Sequence, residues 1–201
     1  MNRSNVLPQS IYTTMVSTLW PREQSQRVIR NIILAIFGSM LLTASAKIQI
    51  PFYPVPQTMQ TMAVLILGMI YGWRLGAATV LLYLAEGAFG LPVFAGTPEK
   101  GIGLAYMMHT TGGYLVGFVL AAIVCGGLAE RGWDRKPSTT ALAMLLGNIV
   151  IYIPGLIWLS LFVGTEKAIQ FGLIPFMLGD IVKLILAAVS LPLIWSALKS
   201  K

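Results

Sequence analysis

The sequence is short of charged residues, cysteine and histidine, and each shortage excludes a class of protein. Only 10% of the 201 residues are Asp, Glu, Lys or Arg, whereas a soluble domain carries about a quarter. A lone Cys125 cannot form an internal disulfide framework, and a lone His109 cannot form a cluster of histidine metal ligands. The chain has no P-loop, so it cannot hydrolyse ATP by that motif. It also has no nucleophile elbow and no metal-ligand spacing, so neither an enzyme nor a resident cofactor is expected.

Apolar residues, by contrast, are abundant. They make up 56% of the chain, and the mean hydropathy is +0.77. A helix that crosses a bilayer needs about 20 residues, so 201 residues accommodate six crossings with short loops. We expect an all-α integral membrane protein, with residues 1–26 as a cytoplasmic segment and 27–201 as a single six-helix bundle. The six helices are predicted at about residues 31–47, 58–71, 77–89, 110–128, 139–162 and 175–198.

The segments between these helices contain the strongest helix breakers. Pro51, Pro54 and Pro56 predict an extended outer loop, because proline is excluded from a helix interior. Residues 72–76 predict a tight break, and 95–103 and 164–172 predict loops. The chain is therefore expected to cross the membrane by alternating helices and loops.

The positions of the basic residues predict the orientation. With the N-terminus inside, ten basic residues face the cytoplasm and three face outward, which is the positive-inside pattern. Both termini are therefore expected in the cytoplasm. The ten are Arg3, Arg22, Arg27, Arg30, Arg74, Arg131, Arg135, Lys136, Lys199 and Lys201, and the three are Lys47, Lys100 and Lys167. Because these basic residues are scattered at the ends of the segments, they do not predict nucleic-acid binding.

Three ionisable residues, Glu86, Asp180 and Lys183, lie within the predicted helices. A charge in the middle of a membrane costs about 3 kcal/mol, so such residues are candidates for function. Asp180 and Lys183 are three residues apart and share one face of the sixth helix. They form either an ion pair that locks the helix in the bundle or a polar pocket, open outward, for a ligand. Glu86 either reaches interfacial water or contributes to the same pocket.

Weaker candidates are polar or small side chains at helical spacing. Asn148 and Tyr152, four residues apart, either face the cavity or bond between helices. The start of the fourth helix, around Thr111, could offer N–H groups to an anion. A stripe of small residues on the first helix packs inside the protein by default, but it could also dock a partner protein. That stripe comprises Ala35, Ser39 and Thr43.

Five blocks of the sequence, in order over about residues 30–195, resemble the biotin transporter BioY family. The first two are Ile48-x-Ile50-Pro51-x-x-Pro54-Val55-Pro56-x-Thr58-x-Gln60-Thr61 and Tyr83-Leu84-x-x-Gly87-x-x-Gly90-Leu91-Pro92-Val93-Phe94. The others are Thr111-Gly112-Gly113-Tyr114-Leu115-x-Gly117-Phe118, Gly147-Asn148 with Tyr152, and Pro175-Phe176-x-x-Gly179-Asp180-x-x-Lys183. Members of that family are substrate-binding S components of energy-coupling-factor (ECF) transporters, with six helices and cytoplasmic termini.

The resemblance implies a function, partners and a site. It implies biotin uptake across the inner (plasma) membrane of a prokaryote, with a transmembrane T component and two ATPases. It leaves open whether the protein works with that module or without it, as a homo-oligomer. It makes Asp180 and Lys183 the leading contacts to biotin, and it adds Tyr83, Thr111 and Tyr114 from the matching blocks. Whether Lys183 contacts the ureido ring or the carboxylate stays open. One departure is His109-Thr110 where the family has Gly-Pro, which frees a backbone N–H at the start of the fourth helix.

Two other functions compete with this interpretation. One is an ion-coupled secondary transporter of a small carboxylate or vitamin, with Glu86 or Asp180 as the proton site. The other is a structural or assembly protein of the membrane in which the buried charges only hold helices together.

Overall fold

The computed structural model describes residues 14–20, 27–51 and 57–199, and nearly all of these are helical. The helices are α1 (Met15–Leu19), α2 (Arg27–Lys47), α3 (Gln60–Ala88), α4 (Gly103–Met107), α5 (Gly112–Glu130), α6 (Pro137–Val163), α7 (Thr165–Gly172) and α8 (Ile174–Lys199). A 3₁₀ turn, Trp133–Arg135, links α5 to α6. Strands β1 (Gln49–Ile50) and β2 (Gln57–Thr58) pair antiparallel, with Gln49 opposite Thr58.

Five helical segments of the described residues are long and apolar enough to cross a membrane. They are α2, α3, α5, α6 and the combined segment of α7 and α8. The sequence predicts six helices, and the difference lies in α3, which contains the predicted second and third helices without a loop between them.

Helix α3 is a hairpin whose two arms meet at Gly72. Gly72 has φ +80° and ψ 170°, a conformation that is essentially restricted to glycine. The Gln60 side chain donates to the Tyr83 hydroxyl at 2.8 Å across 23 residues, which a straight helix would place about 35 Å apart. The chain therefore reverses within the segment 72–76, where the sequence predicts a break.

The hairpin α3 and helix α5 form the centre of the bundle, and small residues allow close helix contacts there. A Cβ on Gly68 would lie 2.9 Å from the carbonyl oxygen of Ala122, and one on Gly113 would lie 2.2 Å from that of Pro154. Helices α2, α6 and α8 surround this centre and expose large apolar side chains such as Phe37 and Leu161. Apolar surface of this extent is suited to lipid rather than water.

Two short helices lie between the predicted long helices, and one of them, α7, occupies a predicted loop. Residues 164–172 hold α7, which is eight residues long, and the Gly-rich loop 95–103 leads into the short helix α4. Both helices are shorter than the length at which apolar periodicity is informative. Within the predicted N-terminal segment, α1 packs Met15 and Val16 into the core. The rest of that segment, 1–13 and 21–26, and the centre of the proline-rich loop, 52–56, lie outside the described residues.

Asp134 anchors the turn between α5 and α6, outside the helices long enough to cross a membrane. Its carboxylate is fully buried and accepts the indole N–H of Trp195 on α8. The Arg135 guanidinium lies over the Trp195 ring, 4.9 Å from its centroid. Burial raises the pKa of the Asp134 carboxyl above its ordinary value, outweighing the opposite effects of Trp195 and Arg135.

This buried carboxyl predicts a pH-dependent component of stability. An acid with a raised pKa holds its proton more tightly in the folded protein, so its contribution is present below the unfolded pKa and is lost as the pH rises through the folded pKa. We expect the melting temperature in detergent to contain a component that falls as the pH rises above the ordinary pKa of an aspartic acid, and Asp134→Asn to remove that component. Glu99→Gln, at an exposed carboxylate, is the control. An unchanged pH profile in Asp134→Asn would contradict this assignment.

Candidate ligand-binding site

Asp180 and Lys183 form a buried ion pair on α8. Their spacing of three residues places both side chains on one face of the helix, and the Lys183 Nζ lies 3.2 Å from Asp180 Oδ1. Asp180 is 6% exposed and Lys183 5%. Because two charges at this depth each need several partners, the surrounding helices must supply polar groups.

Two neighbouring helices supply them. Thr61, at the start of α3, accepts a hydrogen bond from Lys183 Nζ at 3.0 Å, and its hydroxyl lies 3.5 Å from Asp180 Oδ1. From α6, the Tyr152 hydroxyl donates to Asp180 Oδ2. The pair thus joins three helices that are far apart in the sequence.

Tyr114 on α5 extends this cluster. Its ring meets that of Tyr152 edge-on, with centroids 6.3 Å apart. Its hydroxyl donates to the carbonyl oxygen of Gly172 at 2.9 Å. A Cβ on Gly155 or Gly172 would lie 2.5 Å from Tyr114 atoms, so these glycines make the room for its ring. Asp180, Lys183, Tyr152, Tyr114 and Thr61 are hereafter the polar cluster.

Asn148 and Thr111 each precede a tyrosine of the polar cluster by about one helical turn. Asn148 is buried on α6, one turn before Tyr152. Thr111 precedes α5, and its carbonyl oxygen accepts the N–H groups of Tyr114 and Leu115 at 3.1 and 3.3 Å. The Gly112 N–H donates to the carbonyl oxygen of His109 at 3.0 Å. These N–H groups therefore have partners within the chain, which weakens the expectation of an anion site there.

Glu86 and Tyr83 lie on the second arm of α3, whereas Thr61 of the polar cluster lies on the first arm. Glu86 accepts a hydrogen bond from Ser39 on α2, and Ser39 is 1% exposed. Ser39 thus packs inside the protein, as the default for the small-residue stripe expects, while Ala35 and Thr43 are half-buried. The Tyr83 hydroxyl accepts from Gln60 and donates to the carbonyl oxygen of Val93 at 3.1 Å.

Sequence reasoning missed two polar residues, Thr61 of the polar cluster and Gln57 beside it. Thr61 stands in one of the quoted blocks, and its position at a helix start beside Gln60 was the available signal. Gln57 on β2 is fully buried, and its Nε2 donates to the carbonyl oxygen of Pro175 at 2.6 Å. This hydrogen bond links the strand pair to the start of α8.

The polar cluster retains capacity for a ligand. A lysine ammonium has three donors, and an ionised carboxylate has about four acceptor positions. Thr61 and Asp180 take up two donors of Lys183, and the carboxylate has three partners, Lys183, Thr61 and Tyr152. A donor and an acceptor therefore remain side by side among the described residues, an arrangement that suits a ligand with adjacent N–H and C=O groups.

Comparison with known proteins agrees with the helical architecture. One solved structure, "Crystal structure at 2.1 A of the S-component for biotin from an ECF-type ABC transporter", aligns with a TM-score of 0.69 and 24% identity, over 87% of this chain and 95% of that one. At that identity the likeness shows the fold.

Curated relatives and a family model identify the family. The chain is 38% identical to the probable biotin transporter BioY of Pyrococcus horikoshii, over 75% of this chain and 86% of the relative. It is 37% identical to the biotin transporter BioY of Thermotoga maritima, over 80% of this chain and 92% of the relative. The model described as the BioY family matches residues 14–200, and the chain therefore belongs to the BioY family.

Proposed function

We propose that this protein captures biotin in an outward-facing site and takes part in its uptake as the S component of an ECF transporter. Family membership and the names of two relatives support biotin as the ligand. The fold shared with a biotin S component supports the transporter class. The protein is accordingly a transport component, not an enzyme.

The single observation that carries the site assignment is the buried ion pair of Asp180 and Lys183, 3.2 Å apart and bonded to Thr61. Biotin's ureido ring carries two N–H donors and one carbonyl. The carboxylate of Asp180 accepts the N–H, and the ammonium of Lys183 donates to the carbonyl, so both charges remain paired with the ligand bound. Tyr114 and Tyr152 offer ring faces for the apolar part of the ligand, as small-ligand pockets require.

In the proposed topology, the chain crosses the membrane six times and both termini are cytoplasmic. The two arms of α3 count as two crossings, since the chain reverses at Gly72. The excess of arginine and lysine on one side supports this orientation. It places Trp73, Arg74 and the α5–α6 turn at the cytoplasmic face of a prokaryotic plasma membrane.

The proposed energy source lies outside this chain. A T component with two ATPases would drive uptake, because the sequence contains no P-loop. We place the T component against α2, where Ala35 and Thr43 are partly exposed and Phe37 and Met40 are exposed. Uptake that survives loss of the ATPases but collapses with a protonophore would favour the ion-coupled alternative instead.

The direct test is ligand binding by the purified full-length protein in detergent. We expect one biotin per chain by isothermal titration calorimetry, because the part of the chain that the structure describes contains one such polar cluster. Thiamine, which lacks the ureido group, is expected not to compete. A folded, monodisperse protein that binds no biotin would overturn the proposal.

A further inference from the structure

A positively charged cleft lies at the opposite end of the first arm of α3 from the polar cluster. It has a volume of about 630 Å³ and is bounded by α1, the start of α2, the Gly72 turn and the end of α5. Its lining includes Arg27, Arg30 and Arg74. We call it the arginine cleft. Thr61 lies about 16 Å from Gly72 along the first arm, so this cleft is separate from the proposed biotin site.

The charges of the arginine cleft are unbalanced. Among the described residues that line the cleft, three guanidinium groups accompany one carboxylate, that of Glu130, which gives a net charge of +2. Glu130 Oε1 accepts the backbone N–H of Trp73 at 3.3 Å, so this carboxylate is already engaged in holding the hairpin turn. An anion that enters the cleft would therefore meet an excess of positive charge.

Two of the arginines are held in position. Arg30 donates to the carbonyl oxygen of Trp20 at 2.8 Å and to Asn31 Oδ1 at 3.1 Å. The Arg74 guanidinium lies 5.0 Å from the centroid of the Trp73 ring. Guanidinium groups present several donors in a planar fork that matches the oxygens of a phosphate. The cleft thus has the chemistry of a phosphate site.

Its surroundings are apolar and exposed. Val28 and Ile32, which line the cleft, are 69% and 53% exposed, and Leu19 and Trp20 beside it are 60% and 48% exposed. Tryptophan and arginine together are typical of the boundary between hydrocarbon and headgroups. A free phosphate gains nothing from such apolar walls, whereas a lipid with a phosphate and acyl chains uses both.

We propose that the arginine cleft binds the phosphate headgroup of an anionic phospholipid. The acyl chains lie along Val28 and Ile32 at the start of α2, and the headgroup oxygens accept from Arg27, Arg30 and Arg74. The lipid bound in this cleft holds α1 and the hairpin turn at the cytoplasmic leaflet. It does not depend on the identity of the transported ligand.

The test is native mass spectrometry of the full-length protein in detergent supplemented with phosphatidylglycerol. We expect one tightly held phosphatidylglycerol per chain, and about a 30-fold loss of its affinity in the double variant Arg27→Gln/Arg74→Gln. The matched control is Arg131→Gln/Lys136→Gln, which removes the same charge from exposed residues outside the cleft and should retain the lipid. Thermal unfolding by circular dichroism checks that both variants are folded.

Other outcomes decide against the proposal. Equal retention of phosphatidylglycerol by both double variants, or equal retention of phosphatidylcholine by the wild-type protein, would overturn it. If millimolar inorganic phosphate displaces the lipid or stabilises the protein equally, the cleft is a site for a soluble anion. If the cleft variant retains the lipid but no longer co-purifies with the T component, the cleft is a protein contact.

Discussion

Replacing Lys183 with methionine is expected to lower the affinity for biotin about 100-fold or more. Methionine keeps much of the side-chain volume but removes the ammonium, so the carboxylate of Asp180 stays buried without its cation. Truncating one partner of a buried, hydrogen-bonded charge pair costs about 2–5 kcal/mol. Asp180→Asn is expected to have an effect of the same order, because it replaces the carboxylate by a neutral amide and leaves the ammonium of Lys183 buried without its anion. The measurement is equilibrium binding of radiolabelled biotin.

The matched control is Lys167→Met, since Lys167 is an exposed lysine on the neighbouring helix α7. It should bind biotin like the wild-type protein. Affinity within about threefold of wild type in both Lys183→Met and Asp180→Asn would rule out the site, because the cost expected from a broken pair is far larger.

The double variant Asp180→Asn/Lys183→Met distinguishes two roles of the ion pair: binding the ligand, and only holding α8 in the bundle. Replacing a buried ion pair by neutral groups is often neutral or stabilising, whereas breaking it is strongly destabilising. We expect the double variant to melt near the wild-type temperature yet to bind no biotin. If it recovers binding together with stability, the pair only holds α8 in the bundle.

Gly72→Ala is expected to lower the free energy of unfolding by about 3 kcal/mol. The added Cβ would be placed in a backbone conformation with φ +80°. It would also lie 2.5 Å from Glu130 Oε1 and 2.7 Å from Thr14 Cγ2. For a protein of this size, the loss corresponds to a melting temperature lower by about 10 °C, which circular dichroism or dye-based melting in detergent measures.

Gly127→Ala serves as the reference substitution for Gly72→Ala. Gly127 is helical, and a Cβ there would meet nothing within 4 Å. Alanine is a better helix former than glycine by about 1 kcal/mol, so this variant should be as stable as wild type or slightly more stable. Equal melting temperatures for the two variants would mean that the Gly72 turn tolerates a side chain.

Sequence alone was sufficient for the parts of the site that lie on one helix. Asp180 and Lys183 share a face because of their spacing, and Tyr152 follows Asn148 by one turn, so helical periodicity predicted each pair. Thr61 could not be derived in that way, since it is 122 residues from Lys183. Only the packing of α3 against α8 brings these side chains together.

The packing of the helices also determines which candidate site residues lie away from the polar cluster. Glu86 and Asp180 both looked like charges inside a membrane, but Glu86 faces α2 and bonds to Ser39. Which face of a helix contacts which neighbour depends on how the helices pack in the bundle. A local sequence pattern does not predict these contacts. Helix α7 was missed for a different reason, because an eight-residue helix carries too few turns for its periodicity to stand out.

In the proposed orientation, the length of the first arm of α3 sets the distance between the candidate site and the cytoplasmic face. About eleven helical residues from Thr61 to Gly72 span roughly 16 Å, close to half of a hydrocarbon core about 30 Å thick. In the proposed orientation, a biotin molecule held by Thr61 and Lys183 has therefore travelled only half of its route. A change of rotamer moves an atom by a few ångströms, so the second half requires whole helices to shift against the lipid. In the proposed transporter, the partner subunits supply the work for that displacement.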